Sequence, residues 1–222
     1  MARTFTVAEI ESRARNISDM TDTDFVTSAE AITYIDSEYT DLYDLLTEKF
    51  ESYNVSTTPH SITLVTGTTL YDLPTDFYKA AGVEKSLGGG KYRSLLPFNF
   101  QERNDLQSRD ERYALVGDKM MFKDSNLTGT VRLWYIPVPD KLTLTTDIVE
   151  GVSGWEEYIV LGVAIRMLDK QEGDSRAFVR RRKEIKERIE NAAQNRNVGA
   201  PHTVTDTRPY EYDDLYWILG RQ

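Results

Sequence analysis

Apolar residues near the N-terminus recur at steps of three or four, which is the spacing of one face of an α-helix. The longest such run consists of Ile32, Ile35, Tyr39, Leu42, Leu46 and Phe50. It predicts a helix from about 28 to 51 that buries this face. A threonine three residues before a glutamate is the signature of a capping box, and it occurs at Thr6 and at Thr27. Residues 1–58 are therefore predicted to form two helices.

The pattern changes in residues 59–140, where short runs rich in β-branched and aromatic residues alternate with turn residues. The runs include SITLV, KYRSLL and TVRLWYI, and three consecutive glycines at 88–90 mark one of the turns. Pro59 ends the helical part, and Pro137 and Pro139 stop the last strand because proline cannot donate to a sheet ladder. This part of the chain predicts a small antiparallel β domain.

A helical pattern returns in residues 141–195. The stretch WEEYIVLGVAIRML is apolar nearly all round, interrupted by Arg166, so it predicts a helix that is covered on more than one side. A third capping box at Ser153 marks its start. A second helix is predicted to begin at Asp174 and to run to about Gln194.

Residues 196–222 contain Gly199, Pro201 and Pro209, which block a helix, and they predict an extended C-terminal arm. The fold class that follows is α+β. N-terminal and C-terminal helices form a helical bundle, a small antiparallel β domain is inserted between them, and an extended tail completes the chain.

Composition limits what the protein can do. The 222 residues include 27 Lys+Arg and 36 Asp+Glu, which gives a net charge of -9 and argues against a dedicated nucleic-acid binder. There is no cysteine, so disulfides, thiol catalysis and the common zinc sites are excluded. Two histidines cannot build a three-histidine metal site within one subunit. We expect no cofactor, no metal and, since no apolar stretch would span a bilayer, no membrane partner.

The motifs that could suggest catalysis, phosphate binding or metal binding are better explained by a structural role than by a functional one. The glycines at 88–90 lack the Gly-Lys-Ser/Thr ending of a phosphate loop, so they predict a hairpin turn. Three aspartates between residues 19 and 24 lack the glycine and the closing glutamate of a calcium loop, which favours a solvated connector. His60 and His202 have no recognisable catalytic partner. We therefore expect no enzyme, and a hydrolase with two facing carboxylates is the remote alternative.

Charge is distributed unevenly along the chain. Residues 1–60 contain 4 basic and 12 acidic residues, whereas residues 176–190 contain 7 basic and 3 acidic ones. The acidic set of candidate interface residues is Asp41, Asp44, Glu48 and Glu51. The basic set is Arg176, Arg180 and Lys183. We expect the two sets to lie near each other, within one copy or between copies, because head-to-tail contact between different patches can close a ring. A solvated face and a DNA contact are the alternatives for the basic set.

The arm ends in large side chains of the type enriched at binding hot spots. Its candidate docking residues are Pro209, Tyr210, Tyr212, Leu215, Tyr216, Trp217, Ile218 and Leu219. A disordered tail is normally poor in such residues, and an extended arm of this length reaches about 90 Å. We expect the arm to dock on a neighbouring protein, with folding back onto its own β domain as the alternative.

Three stretches carry a family resemblance by their order and spacing. They are LYDLPTDFYKAAGVE at 70–84, VRLWYIPVPDKLT at 131–143 and GWEEYIVLGVAIRMLDKQEGDSRAF at 154–178, followed by NRNVGAPHTVTDTR. Together they resemble the head-to-tail adaptor, or connector, proteins of tailed bacteriophages. The similarity covers most of residues 27–208. The first twenty residues and the arm from Pro209 onward are not part of it.

The resemblance implies a structural virion protein with no catalytic residues. About a dozen copies would form a homo-oligomeric ring beneath the portal and above a tail or nozzle protein, continuing the DNA channel used in genome ejection. The arm would then be portal-binding. DNA would pass without sequence-specific binding, and an acidic lumen would repel its phosphates. The protein is expected at the head-tail junction of the virion, and in the host cytoplasm before assembly. A tail-completion or tail-terminator ring protein is the alternative.

Overall fold

A computed structural model of the chain describes residues 4–50, 52–103, 111–149 and 154–194. The helices are α1 (Val7–Ser18), α2 (Ser28–Lys49), α3 (Glu156–Lys170) and α4 (Arg176–Gln194). Each of α1, α2 and α4 packs against α3. The central position of α3 explains why its sequence is apolar nearly all round. Helices together with largely antiparallel sheets confirm the predicted α+β class.

The helix starts follow the predicted capping signals in two of three cases. Thr6 forms a complete capping box, in which the Glu9 amide donates to its hydroxyl at 3.2 Å and the Thr6 amide donates to the Glu9 carboxylate at 2.8 Å. The hydroxyl of Thr27 accepts from the amide of Glu30. The third prediction was wrong, because α3 begins after Trp155, which makes no side-chain cap, and not at Ser153.

In the described part of the chain, ten strands form three sheets. In chain order the strands are β1 (Phe5–Thr6), β2 (His60–Leu64), β3 (Leu70–Asp72), β4 (Phe77–Gly88), β5 (Lys91–Ser94), β6 (Leu96–Pro97), β7 (Arg112–Val116), β8 (Lys119–Phe122), β9 (Gly129–Pro137) and β10 (Ile148–Val149). One four-stranded sheet has the order β2-β9-β4-β5 and a second has the order β3-β8-β7-β6. The strands β1 and β10 form a two-stranded pair beside the bundle.

The region between α2 and α3 is therefore more elaborate than the single small sheet that the pattern predicts. Strands β6 and β7 pair in parallel, in contrast to the antiparallel pairs elsewhere in these two sheets. The glycines at 88–90 all have positive φ and join β4 to β5, which confirms the predicted hairpin turn.

The apolar side chains of the described residues form two separate buried clusters. The helical cluster includes Ile10, Ile35, Leu42, Ile159 and Leu161, all at 2% exposure or less. The sheet cluster consists of Ile62, Leu64, Val83, Leu95, Tyr113, Met120, Phe122, Leu127, Val131 and Leu133. Each cluster fills the space between the faces that the apolar periodicity marks out in its own part of the chain.

Tyrosine hydroxyls connect the bundle to the sheets. The Tyr43 hydroxyl on α2 donates to the carbonyl oxygen of Pro137 at 2.6 Å, and burial raises the pKa of Tyr43 well above its usual range. The Tyr78 hydroxyl on β4 donates to the Asp44 carboxylate at 2.9 Å, and this hydrogen bond raises the pKa of Tyr78. The two tyrosine rings meet edge to face, with centroids 6.4 Å apart.

A buried ion pair ties three helices together. Glu38 of α2 is only 2% exposed and accepts from Arg166 of α3 at 2.6 Å and from Arg182 of α4. Arg166 also donates to the Ser37 hydroxyl at 2.9 Å, and Arg182 lies over the ring of Tyr158 with its guanidinium 4.3 Å from the centroid. A buried carboxylate is costly unless it is paired, and here both of its oxygens are.

Gly162 makes room for this carboxylate. A Cβ atom at position 162 would lie 2.1 Å from Oε2 of Glu38 and 2.4 Å from its Cδ. Glycine in the middle of a helix costs about 1 kcal/mol relative to alanine. The close approach of α2 and α3 at Glu38 explains why the residue is nevertheless glycine.

One turn after Arg166, the last residue of α3, Lys170, binds the segment before α2. Lys170 donates to the Glu30 carboxylate at 2.6 Å and to the carbonyl oxygen of Phe25 at 2.8 Å. The hydrogen bond from Lys170 lowers the pKa of Glu30. These contacts attach the segment before α2 to the last turn of α3.

The buried pair leads to a stability prediction. Replacing Glu38 by Gln removes the charge but keeps the size, which removes the counter-ion of Arg166 and the nearer of the two carboxylates beside Arg182. We expect a loss of about 3 kcal/mol in the free energy of unfolding, measured by urea denaturation. Asp41→Asn on the same helix is the matched control, because Asp41 is 55% exposed and 3.8 Å from Arg182. The control should cost less than about 1 kcal/mol. Equal losses for the two variants would contradict the role assigned to Glu38.

The start of α4 leads to a prediction about pH. Arg176 donates to Asp174 from its side chain and from its amide, which lowers the pKa of Asp174 to about 2. Because this pKa lies below the unfolded value of about 3.9, the stabilisation is present above pH 4 and is lost as the pH falls towards 2. An NMR titration should give a midpoint near 2, and Arg176→Gln should raise it. Arg180→Gln, one turn later, should leave the midpoint unchanged.

Candidate assembly surfaces

The acidic candidate set lies along the exposed side of α2. Asp41, Asp44 and Glu48 are all exposed, and Glu51 lies outside the described residues. Asp44 accepts a hydrogen bond from Tyr78, whereas the Glu48 side chain is 73% exposed with Lys49 3.4 Å away. Helical spacing thus places three carboxylates on one surface, as the sequence predicts.

The basic candidate set lies on α4, which contacts the bundle along one side only. Ile185 and Ile189 are buried, and Arg180 and Lys183 are exposed on the far side. Arg176 already forms two hydrogen bonds of 2.8 Å with Asp174 of the same chain. Arg180 and Lys183 form no ion pair within the described part of the chain, so they are available to bind another surface.

Helices α2 and α4 lie side by side, but other residues join them. Arg182 contacts Asp41 at 3.8 Å, and Lys49 at the end of α2 contacts Glu190 near the end of α4, also at 3.8 Å. Across residues 4–50 and 154–194, no ion pair links a member of the acidic set to a member of the basic set. The acidic set and the basic set therefore lie on neighbouring helices of one subunit, and within these residues their charges are not paired with each other.

Arg182 is the contact residue that the sequence analysis missed. It lies four residues after Phe178 and three before Ile185, which places it on the apolar side of α4. Glu38 has the same position on α2, three residues after Ile35. A charged residue inside an apolar stripe, with an opposite charge inside another, is the signal that would have predicted this pair.

The portal-binding candidates lie outside the described residues. All eight, from Pro209 to Leu219, belong to the arm, and their role stays a prediction from the sequence. The described chain ends at Gln194, at the end of α4.

A groove of about 940 Å³ lies between α2 and the chain that leaves β9. Its lining includes Tyr39, Tyr43, Asn54, Val55, Asp76, Pro137, Val138, Pro139, Asp140, Lys141, Asp147 and Ile148. Val138 is 48% exposed and Ile148 is 49% exposed, so the groove presents apolar side chains to solvent. The sequence marked the two prolines only as a stop for the last strand, which is why this surface was not predicted.

The groove is acidic, and hydrogen bonds hold two of its aspartates in place. Three aspartates and one lysine line it. Asp147 accepts from the amides of Thr143 and Leu144 at 2.7 and 2.8 Å, which lowers the pKa of Asp147. A general acid needs a raised pKa, so Asp147 does not suit the general-acid role in the alternative carboxylate hydrolase. Both oxygens of Asp76 accept from the hydroxyl of Tyr135 at 3.1 Å.

The connector between α1 and α2 is held by protein groups. The buried Arg15 donates to the carbonyl oxygens of Asp22 and Val26, each at 2.7 Å. Asp22 and Asp24 are exposed. No cluster of metal-ligating side chains occurs among the described residues. In the same residues no helix is both long enough and apolar enough to cross a membrane.

Comparison with known proteins gives a family. A family model described as SU10 adaptor protein matches residues 5–205, which is most of the chain. No curated protein matches it. The matched span includes both helical parts and both four-stranded sheets, and it also includes most of the first twenty residues, which were wrongly expected to lie outside the resemblance. The resemblance seen in the three sequence stretches is thereby confirmed, and the chain belongs to the SU10 adaptor family of phage head-to-tail adaptor proteins.

Proposed function

We propose that the protein is a subunit of a ring that joins the portal to the tail and continues the DNA channel between them. The family match over residues 5–205 carries this proposal. An adaptor associates with portal and tail proteins and is a component of the virion. We propose that it links the portal to the tail, provides a passage for DNA and performs no catalysis.

Separate charged surfaces support assembly from identical copies. The exposed Asp41 and Glu48 of α2 offer negative charge, and the exposed Arg180 and Lys183 of α4 offer positive charge. Contact between two different patches closes a ring when the rotation between copies allows it. In this proposal α2 of one subunit faces α4 of the next, and the net charge of -9 discourages DNA from binding during passage.

The arm is the proposed contact with the portal. It begins after α4, and its last fourteen residues contain five large apolar or aromatic anchors in succession from Leu215 to Leu219. Such anchors give high affinity when a partner buries them. An extended segment can bind along a groove of its partner, gaining contact area without a folded domain of its own.

The proposed subunit contact can be tested by exchanging charges. The double variant Arg180→Glu/Lys183→Glu should fail to form rings, and so should Asp41→Lys/Glu48→Lys, because like charges then face each other. A one-to-one mixture of the two variants should form rings again, since alternating copies restore opposite charges at every contact. Electron microscopy and light scattering at low and moderate salt measure the outcome.

A matched control separates this contact from general charge effects. Lys91→Glu lies in the β4–β5 hairpin, outside both sets, and should assemble normally. If the two double variants assemble alone, or if the mixture stays unassembled while each variant is folded, the contact between copies is wrong.

Deletion of residues 209–222 tests the arm. We expect the shortened protein to keep its circular dichroism spectrum and unfolding temperature, because the helical and sheet clusters are built from side chains between Val7 and Ile189. Its attachment to purified portal protein, followed by pull-down and by electron microscopy, should be lost. Tyr216→Ala/Trp217→Ala should weaken attachment strongly, whereas Arg221→Ala/Gln222→Ala at the same end should not.

Two results would overturn the portal contact. Full attachment after the deletion would show that other residues bind the portal. Retained binding to purified tail protein, with no portal binding by the intact protein, would instead favour a tail-completion or tail-terminator role.

A further inference from the structure

We propose that residues 195–208 of the chain occupy the acidic groove of their own subunit, between α2 and the segment 137–148. The proposal concerns the part of the C-terminal segment that precedes the portal-binding candidates. It is independent of whether the distal part, residues 209–222, binds a portal.

The end of α4 lies near one end of the groove. Lys49, the last residue of α2, contacts Glu190 at 3.8 Å, and Gln194 is one helical turn beyond Glu190. The chain that leaves α2 turns directly into the groove wall, where the Asn54 amide donates to Thr47 at 3.0 Å. Fourteen extended residues reach about 45 Å. Thr47 and Lys49 point to opposite sides of α2, so the segment after Gln194 can reach the groove by passing round the C-terminal end of α2.

Charge selects the proximal segment over the distal one. Residues 195–208 contain Arg196, Arg208 and a single acid, Asp206, whereas residues 209–222 contain three acids and one arginine. The groove lining itself contains three aspartates and one lysine. A positively charged segment is attracted to this surface and the acidic distal segment is repelled by it.

The chemistry of the segment also suits the groove walls. Val198, Pro201 and Val204 would cover the apolar side chains of Val138 and Ile148, which are half exposed in the described structure. Threonines at positions 203, 205 and 207 favour an extended backbone, and an extended chain fits a long, narrow surface. Seating this segment would bury exposed apolar surface on both sides.

The absence of native cysteine makes a direct test possible, because any disulfide must join introduced residues. The variant Val138→Cys/Val204→Cys places one thiol in the groove and one in the segment. On mild oxidation we expect an intramolecular disulfide at the mass of one chain, identified by mass spectrometry of the linked peptides. The control is Leu87→Cys/Val204→Cys, because Leu87 is 59% exposed in the hairpin far from α2. We expect the groove pair to link about tenfold faster than the control pair.

Charge variants in the same background test the electrostatic part. Asp140→Lys should slow the formation of the groove disulfide roughly two- to fivefold, which is the effect of one exposed ion pair. Asp118→Lys, in the exposed turn between β7 and β8, should leave the rate unchanged. Added salt should slow the linkage in the parent and have little effect after Asp140→Lys.

Three outcomes would overturn the proposal. They are equal linkage rates for the groove pair and the Leu87 control, linkage found only at the mass of two chains, and a rate that Asp140→Lys leaves unchanged. Linkage at twice the mass would assign the groove to the segment of a second copy. Deleting residues 209–222 should not change the linkage, so the failure of portal binding and the failure of this proposal give different results.

Discussion

The buried carboxylate of Glu38 is the interaction on which the helical part of the structure depends. This carboxylate forms ion pairs with Arg166 of α3 and with Arg182 of α4. A single side chain of α2 therefore holds both other helices against α2. Helix α4 contributes few buried apolar residues, chiefly Ile185 and Ile189. Because α4 buries so little apolar surface, its attachment to the bundle depends on the ion pair with Glu38. A helix with a broad apolar face would depend less on such a pair. Because α4 is attached to the bundle by its buried side, its exposed side remains accessible to another molecule.

The sequence predicts the helical part well because its signals are local. Capping residues and a spacing of three or four determine where α1 and α2 begin and which faces they bury. The same rules fail at Trp155, where a start without a side-chain cap leaves no sequence mark. Pairing between distant strands is not a local property, so the division into two sheets and the parallel contact of β6 with β7 could not be read from the pattern.

The candidate surfaces show the same limit. Helical spacing was sufficient to place Asp41, Asp44 and Glu48 on one exposed side. It could not show that Arg182 reaches Asp41 or that Arg176 binds Asp174, because these contacts depend on packing and on the turn before α4. The groove was missed for a related reason. Its walls come from α2, the β3–β4 connection and the chain after β9, which meet only in the folded protein.

The contacts at the two ends of the bundle give the subunit a direction. At one end, Lys49 beside Glu190 brings together the points where the chain leaves for the sheets and for the arm. At the other end, Lys170 at the end of α3 donates to the carbonyl oxygen of Phe25 and to the carboxylate of Glu30, near the start of α2. In a ring whose axis runs along these helices, the sheets and the arms would therefore begin at the same rim. Among the described residues, the opposite rim would be formed by the short connections from α1 to α2 and from α3 to α4, so these two loops would make the contacts with a neighbouring ring.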